Sequence, residues 1–213
     1  MLVKILVGIA GVLVLFVAVV ATRPAAYHVE RRLEVAAPAD RVFDVLNDLH
    51  RFTGVLVLFG SPWEQVDPGM QQTFEGPASG VGQSYAWNGD RGAGKGRMTI
   101  EESDAGRKVG IQLQFEEPMK STATFALALA DSPTGTLVTW SMDGNHNFIG
   151  KAFGLFMDMD KMLGADLEKG LARLKAVAEG RQPDRAAAAD SGGVAAEGES
   201  KPAEAAPAYG EKE

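Results

Sequence analysis

The stretch SYAWNGDRGAGKGRMTIEES, residues 84–103, decides the fold. Its centre, GDRGAGKG (89–96), agrees with the phosphate-cradling pattern G-x-x-x-x-G-K-[ST] at every specified position but the last. There Gly96 stands where a magnesium-binding hydroxyl belongs. A phosphate loop must lead from a buried strand into a helix whose first amides point at the anion. Here Met98 and Ile100 instead alternate with Arg97, Thr99 and Glu101, which is the period of a second strand. The glycines therefore read as a hairpin turn, and the domain as antiparallel rather than nucleotide-binding α/β.

Working outward, the same alternation recurs in QQTFEG, RKVGIQLQFEE, STATFALALA and TLVTWSM, mostly separated by turn-forming residues. Upstream, Val29, Arg31, Leu33 and Val35 alternate with Glu30, Arg32 and Glu34 in a first strand. Pro38 and Asp40 then introduce Val42, Phe43, Val45, Leu46 and Leu49 at helical spacing. Downstream, Ile149 to Glu179 keeps a helical period with no internal proline, long enough to lie across a whole sheet. A sheet with one apolar face needs a cover, and this helix is the element long enough to give it. The order strand, short helices, antiparallel meander, long helix predicts an α+β helix-grip.

The two ends differ from this domain. From Ile5 to Ala21 there is no charged or strongly polar side chain, so residues 1–24 read as a transmembrane anchor or a signal segment. The anchor is preferred because the apolar run exceeds the roughly 7–15 residues usual in a signal peptide. Lys4 lies on one side, Arg23, Arg31 and Arg32 on the other; the short N-terminal tail favours a periplasmic or otherwise extracytoplasmic domain. Residues 180–213 are built from Ala, Glu, Gly and Pro and read as a disordered tail.

A net charge of −7 gives no basic field for nucleic acid, and the absence of cysteine removes thiolate nucleophiles and Cys-ligated metal sites. His28, His50 and His146 are far apart and not in metal-ligand spacing, so neither a metal nor a cofactor is expected. His146 reads as a solvated loop residue near one mouth of the grip. Ser61, Ser79 and Ser84 have no base in a recognisable triad context. Glu101, Glu102, Glu116 and Glu117 read as solvated strand ends.

With these residues placed, YHVERRLEVAAPADRVFDVLNDL, SPWEQVDPGM, FEGPASGVGQSYAWNG, GAGKGRMTI, LVTWSMDG and GLFMDMDKMLGADLEKGL resemble the polyketide cyclase/dehydrase branch of the START-related, birch-pollen-allergen-like (SRPBCC) superfamily. The resemblance covers residues 27–178, within a domain drawn at 27–179. It implies a seven-stranded curved antiparallel sheet wrapped around the C-terminal helix, with a cavity that holds an apolar ligand in many relatives. Some relatives are lipid carriers, some cyclases, and some activators of a chaperone ATPase. The apolar run Val55–Phe59 departs from the pattern and reads as an extra buried turn or edge strand, or as a lip at the cavity mouth.

Strand alternation then assigns an inner face. Phe74, Tyr85, Trp87, Met98, Phe115, Phe125 and Trp140 fall on it, with Ile100, Ile111, Leu113, Leu127, Val138 and Met142. They line a ligand cavity or fill a core. On the long helix Ile149, Phe153, Phe156, Leu163, Leu167, Leu171 and Leu174 fall within about 40° of one direction, and Asp160 lies in that stripe. A buried carboxylate must be paired, for example with Arg31 or Tyr85, or be protonated, or face a polar cavity. Trp87, Tyr85, Phe74, Met98, Phe115, Phe125, Trp140, Phe153, Phe156 and Asp160 are the ligand-binding candidates; Asp160 and Tyr85 are the only catalytic ones. Trp63 closes the entrance or plugs the space beneath the short helices.

The preferred function is a membrane-tethered, non-catalytic module that binds a lipid-like or polycyclic apolar molecule. The alternative is a cyclase/dehydrase-like enzyme using the same cavity. A protein-interaction domain ranks third, because the outward residues Gln112, Gln114, Thr122 and Thr124 are polar and a partner surface needs an apolar patch.

Overall fold

A computed structural model describes residues 1–58, 60–90, 92–156 and 158–182, with the backbone alone at Met159. The tail expected over 180–213 lies, from residue 183 on, outside the described residues, as does Phe59.

The hairpin reading holds. Strand β5 (Ser84–Asn88) pairs antiparallel with β6 (Lys95–Asp104), Asn88 opposite Lys95, and Gly89 N donates to Gly94 O at 2.9 Å. The position that lacks the magnesium hydroxyl has a packing reason to be glycine. Gly96 is the cross-strand partner of Trp87, and a Cβ there would collide with the indole and with the Gln114 carbonyl.

Strands β1 (Ala26–Val35), β4 (Gln71–Glu75), β7 (Lys108–Glu117), β8 (Ser121–Ser132) and β9 (Gly135–Asn145) complete a seven-stranded antiparallel sheet in the order β1-β9-β8-β7-β6-β5-β4. The first strand thus pairs with the last. The chain from Val57 to Pro62 adds a small separate hairpin of β2 (Val57–Leu58) and β3 (Ser61–Pro62), so the unusual apolar run is a buried turn at Val55 and Leu56 followed by a short strand. Helix α1 is Leu2–Thr22, α2 Ala39–Leu46, α3 Leu49–Phe52 and α4 Trp63–Val66. α2 and α3 are separate because Asp48 caps the second, its side chain accepting from His50 N at 2.9 Å.

The expected single terminal helix is two. Helix α5 (Phe148–Phe153) ends in tightening turns, with Leu155 N bonded to Ala152 O and Phe156 N to Phe153 O. Helix α6 (Met159–Ala178) starts afresh, with the Asp158 side chain accepting from Lys161 N at 3.1 Å as its N-cap. A face projected across that break does not persist. Leu167, Leu171 and Leu174 are buried on the sheet, and the last two contribute on the order of 2 kcal/mol each by burial. Ile149, Phe153 and Phe156, expected on the same buried stripe, are exposed.

α1 is 21 residues long and among the described residues is the one helix long and apolar enough to cross a membrane, a test that a signal sequence passes as well. At 1.5 Å per residue it is about 30 Å long, close to the hydrocarbon thickness of a bilayer. Only Val20 of its residues is buried.

Candidate ligand groove

The centre of the grip is filled by aromatic rings. Trp63 meets Trp87 edge-on at 5.2 Å between ring centroids, Tyr85 stacks on Trp87 at 5.9 Å, and Phe74 meets Tyr85 at 4.8 Å. Phe52 and Phe125 each lie 5.5 Å from Trp140. Trp63 Nε1 donates to the Tyr85 hydroxyl at 2.9 Å and Trp87 Nε1 to Ala93 O at 3.0 Å. Tyr85, Trp87, Met98, Phe125 and Trp140 are buried and Phe74 half-buried, so these six expected lining residues pack on one another. Trp63 takes the plug position beneath the short helices. Burial pushes the Tyr85 phenol above its ordinary range, against the opposing hydrogen bond from Trp63, so the group is neutral and already engaged.

An enclosed-sided apolar groove lies at one end of the grip. Its volume is about 360 Å³, and it runs between the β7–β8 turn, the end of β9 and the start of α6. Phe115, Met119, Met142, Met162 and Leu163 supply its apolar wall, and Leu58 of the small hairpin also reaches it. Phe115, with Met142, is thus an inner-face residue that the structure places there; Phe115 meets Trp87 edge-on at 5.6 Å, so the groove floor continues into the packed core. Flexible methionines suit an apolar occupant of imprecise shape. The volume falls at the lower end of the roughly 300–1,000 Å³ of small-molecule sites.

Polar groups stand at the rim: Tyr27, Glu117, Asn145, His146 and Asn147. Tyr27 crosses its cross-strand partner Gly144, where a Cβ would strike the phenol ring, and stacks on His146 at 4.5 Å. Burial, with the nearby Asp143 charge, raises the Tyr27 phenol, and burial lowers the His146 imidazole, so both are uncharged at neutral pH. Tyr27 escaped the sequence reading because its place is visible only once β1 is registered on β9. His146 is part of the groove wall rather than a solvated loop residue.

Asp160 is in the expected part of α6 but not buried. It sits exposed in the first turn and pairs with Arg31, Nη2 to Oδ2 at 3.0 Å. Arg31 also donates through Nε to Glu168 at 2.7 Å, so one guanidinium on the inner face of β1 ties two carboxylates of α6. Asp160, Phe153 and Phe156 are not groove-lining residues, and Phe153 and Phe156 project outward. Among the described residues no group of three or more His, Asp or Glu side chains could hold a metal ion.

Residues 26–179 match the family described as polyketide cyclase / dehydrase and lipid transport. The chain belongs to this family. No curated protein matches the chain. Among solved structures, the di-domain ARO/CYC StfQ from the steffimycin biosynthetic pathway is 14% identical with a TM-score of 0.51, over 73% of this chain and 51% of that one. Norcoclaurine synthase from Thalictrum flavum, as a point mutant in complex with a transition-state analogue, is 12% identical with a TM-score of 0.52, over 74% and 99%. A Chromobacterium violaceum protein is 13% identical with a TM-score of 0.50, over 71% and 96%. At these identities the likeness is one of fold, and in this family member the fold supplies a hydrophobic-ligand-binding framework.

Proposed function

We propose that this family member is a membrane-tethered module that holds a lipid-like or polycyclic apolar molecule in the groove, apolar part against Phe115, Met142 and Leu163, polar end at the Tyr27–His146 rim. The observation that carries the reading is an apolar, open-ended groove with the uncharged Tyr27–His146 pair at its mouth, in a chain headed by a helix of membrane-spanning length. The packed rings of Trp87, Tyr85 and Trp140 serve as the floor that fixes the groove wall. Tethering raises the local concentration of groove at a lipid source.

The test is native mass spectrometry of the full chain released from detergent micelles, beside Ser121→Trp. Ser121 is exposed and lines the groove, so the indole fills the volume without disturbing the core. Retention of a co-purified apolar molecule by the parent chain and its loss in the variant supports the proposal. A parent chain that is always empty, or a variant that binds as well, sinks it.

The cyclase-like reading is favoured by one observation, the uncharged His146 in the groove wall beside Tyr27. In that reading His146, kept neutral because burial lowers its pKa, accepts a proton from the ligand. His146→Ala separates the two: an enzyme keeps the bound molecule but no longer converts it, whereas a carrier shows no conversion in either form.

A further inference from the structure

Beyond residue 22, the exposed large apolar side chains among the described residues are Val81, Met119, Phe148, Ile149, Phe153 and Phe156. All but Val81 belong to two segments that reach the groove, the β7–β8 turn and the α5 segment, whose Met119 and Gly150 line it. Met119 lines the groove from the β7–β8 turn, and Asn147, which caps α5, reaches its sulfur at 3.9 Å. The other four lie on α5 and the turn that follows it. Phe153 is 56% and Phe156 80% exposed, which is costly in water for rings of this size.

Their position relative to α1 explains the exposure. Three residues separate α1 from β1, and His146 N donates to Ala25 O at 2.7 Å, fixing the start of α5 beside the helix exit. α5 packs on α1, whose Val20, two residues from the helix end, is fully buried. Where α1 spans a bilayer, Thr22 and Arg23 mark the headgroup level and Val20 lies a few ångströms inside it. From that level the phenylalanine side chains of α5 reach into the layer, roughly 5–10 Å deep, in which amphipathic interfacial helices sit. On the helical wheel Phe148, Ile149 and Phe153 fall within about 140°, with Lys151 off that arc. Arg23 and Lys151, with Asp158, line a shallow depression of about 380 Å³ beside α5, where phosphate headgroups would find two cations.

We infer that α5 and the following turn are an interfacial membrane element: Phe148, Ile149, Phe153 and Phe156 lie among the acyl chains of the bilayer that α1 spans, and hold the groove mouth on the lipid surface. The occupant of this apolar face is the lipid bilayer, argued from its continuity with the exposed apolar surface of α1. The inference rests on the tethered reading and deepens it. An apolar ligand then passes between bilayer and groove past Met119 without crossing water.

The chain has no cysteine, so single cysteines label uniquely. Leu13→Cys, Val81→Cys and Phe156→Cys, each bearing an environment-sensitive fluorophore, are reconstituted as full chains in phosphatidylcholine vesicles with and without lipids carrying spin-label quenchers at both shallow and mid-bilayer depths. Val81 lies in the β4–β5 loop, at the edge of the sheet away from β1. The inference expects a blue shift and loss of emission at 13 and 156 and neither at 81. Quenching at 13 with position 156 behaving like 81 overturns the interfacial role of α5 and leaves the tether standing. No quenching at 13 overturns the tether, and the label at 156 then decides alone whether α5 meets lipid.

Discussion

The guanidinium of Arg31 occupies the space in which Gly164 would carry a side chain. It lies across α6 between Asp160 and Glu168, one turn to either side of the glycine. A glycine inside an exposed helix normally costs about 1 kcal/mol relative to alanine. Here the methyl group would displace Arg31 and loosen two ion pairs, each worth up to about 1 kcal/mol at such exposure. Gly164→Ala is therefore expected to be near neutral in the parent chain, yet to stabilise an Arg31→Ala background by about 1 kcal/mol. A double-mutant cycle from urea denaturation reads the coupling directly, and additive effects would remove the guanidinium from this role.

Asp160→Asn follows from the same geometry. The carboxylate is exposed and outside the groove wall, so the substitution should cost less than about 1 kcal/mol and leave retention of an apolar ligand unchanged. Ligand loss in native mass spectra of a folded Asp160→Asn chain would bring Asp160 back into the site.

Gly96→Ser completes the sequence pattern of a phosphate loop, and the expected result is the opposite of a gain. The new Cβ meets Trp87 and the Gln114 carbonyl in a registered hairpin, an overpacking of about 1–3 kcal/mol. Thermal melting should show the loss, and calorimetry with magnesium and ATP should show no heat of binding. A stable Gly96→Ser chain with nucleotide affinity would overturn the hairpin argument.

Trp87 and Trp140 differ at the indole nitrogen. Trp87 Nε1 donates to Ala93 O, whereas Trp140 Nε1 is buried without a partner. Replacing either by Phe removes similar ring volume, but only Trp87→Phe strands a carbonyl at a buried position. Trp87→Phe should thus be more destabilising than Trp140→Phe by about 1 kcal/mol or more, measured by denaturant titration.

What could be read from the residues was whatever depends on local period. Alternation in β6 to β9 gave strand identities and inward faces, and all of the named inner residues are indeed buried or half-buried. The break between α5 and α6 was hidden because Asp158 caps a helix inside a run that keeps its period through the turn. Without that break Phe153, Phe156 and Asp160 fall on one buried stripe. The position of the open groove was hidden for a different reason. Inner-facing rings can line a void or fill it, and contacts such as Trp63 on Trp87 come from segments 24 residues apart whose meeting no local pattern encodes. Arg31 was one of several partners open to Asp160 in the sequence, because the expectation of a buried acid calls for a partner without saying which.

Glu179, at the end of α6, fastens the helix to the first turn of the domain. Its Oε1 accepts from Ala36 N and from Lys175 Nζ, both at 2.8 Å, and Arg181 pairs with its other oxygen. Burial raises the pKa of this carboxyl, but the hydrogen bonds from Lys175, the Ala36 amide and Arg181 outweigh that and hold it at about 2, below the ordinary 4.5. A depressed folded-state pKa means that the unfolded chain binds the proton more readily. The stabilisation is complete above about pH 4.5 and is lost as the pH falls through about 2. Glu179→Gln should lower unfolding free energy on the order of 1–2 kcal/mol at pH 7. The gap between variant and parent should close as denaturant titrations are taken below pH 4.5, because the parent then loses the charge that the variant lacks. A gap that stays constant down to pH 2 would mean that the clamp acts through shape alone and that its charge contributes nothing.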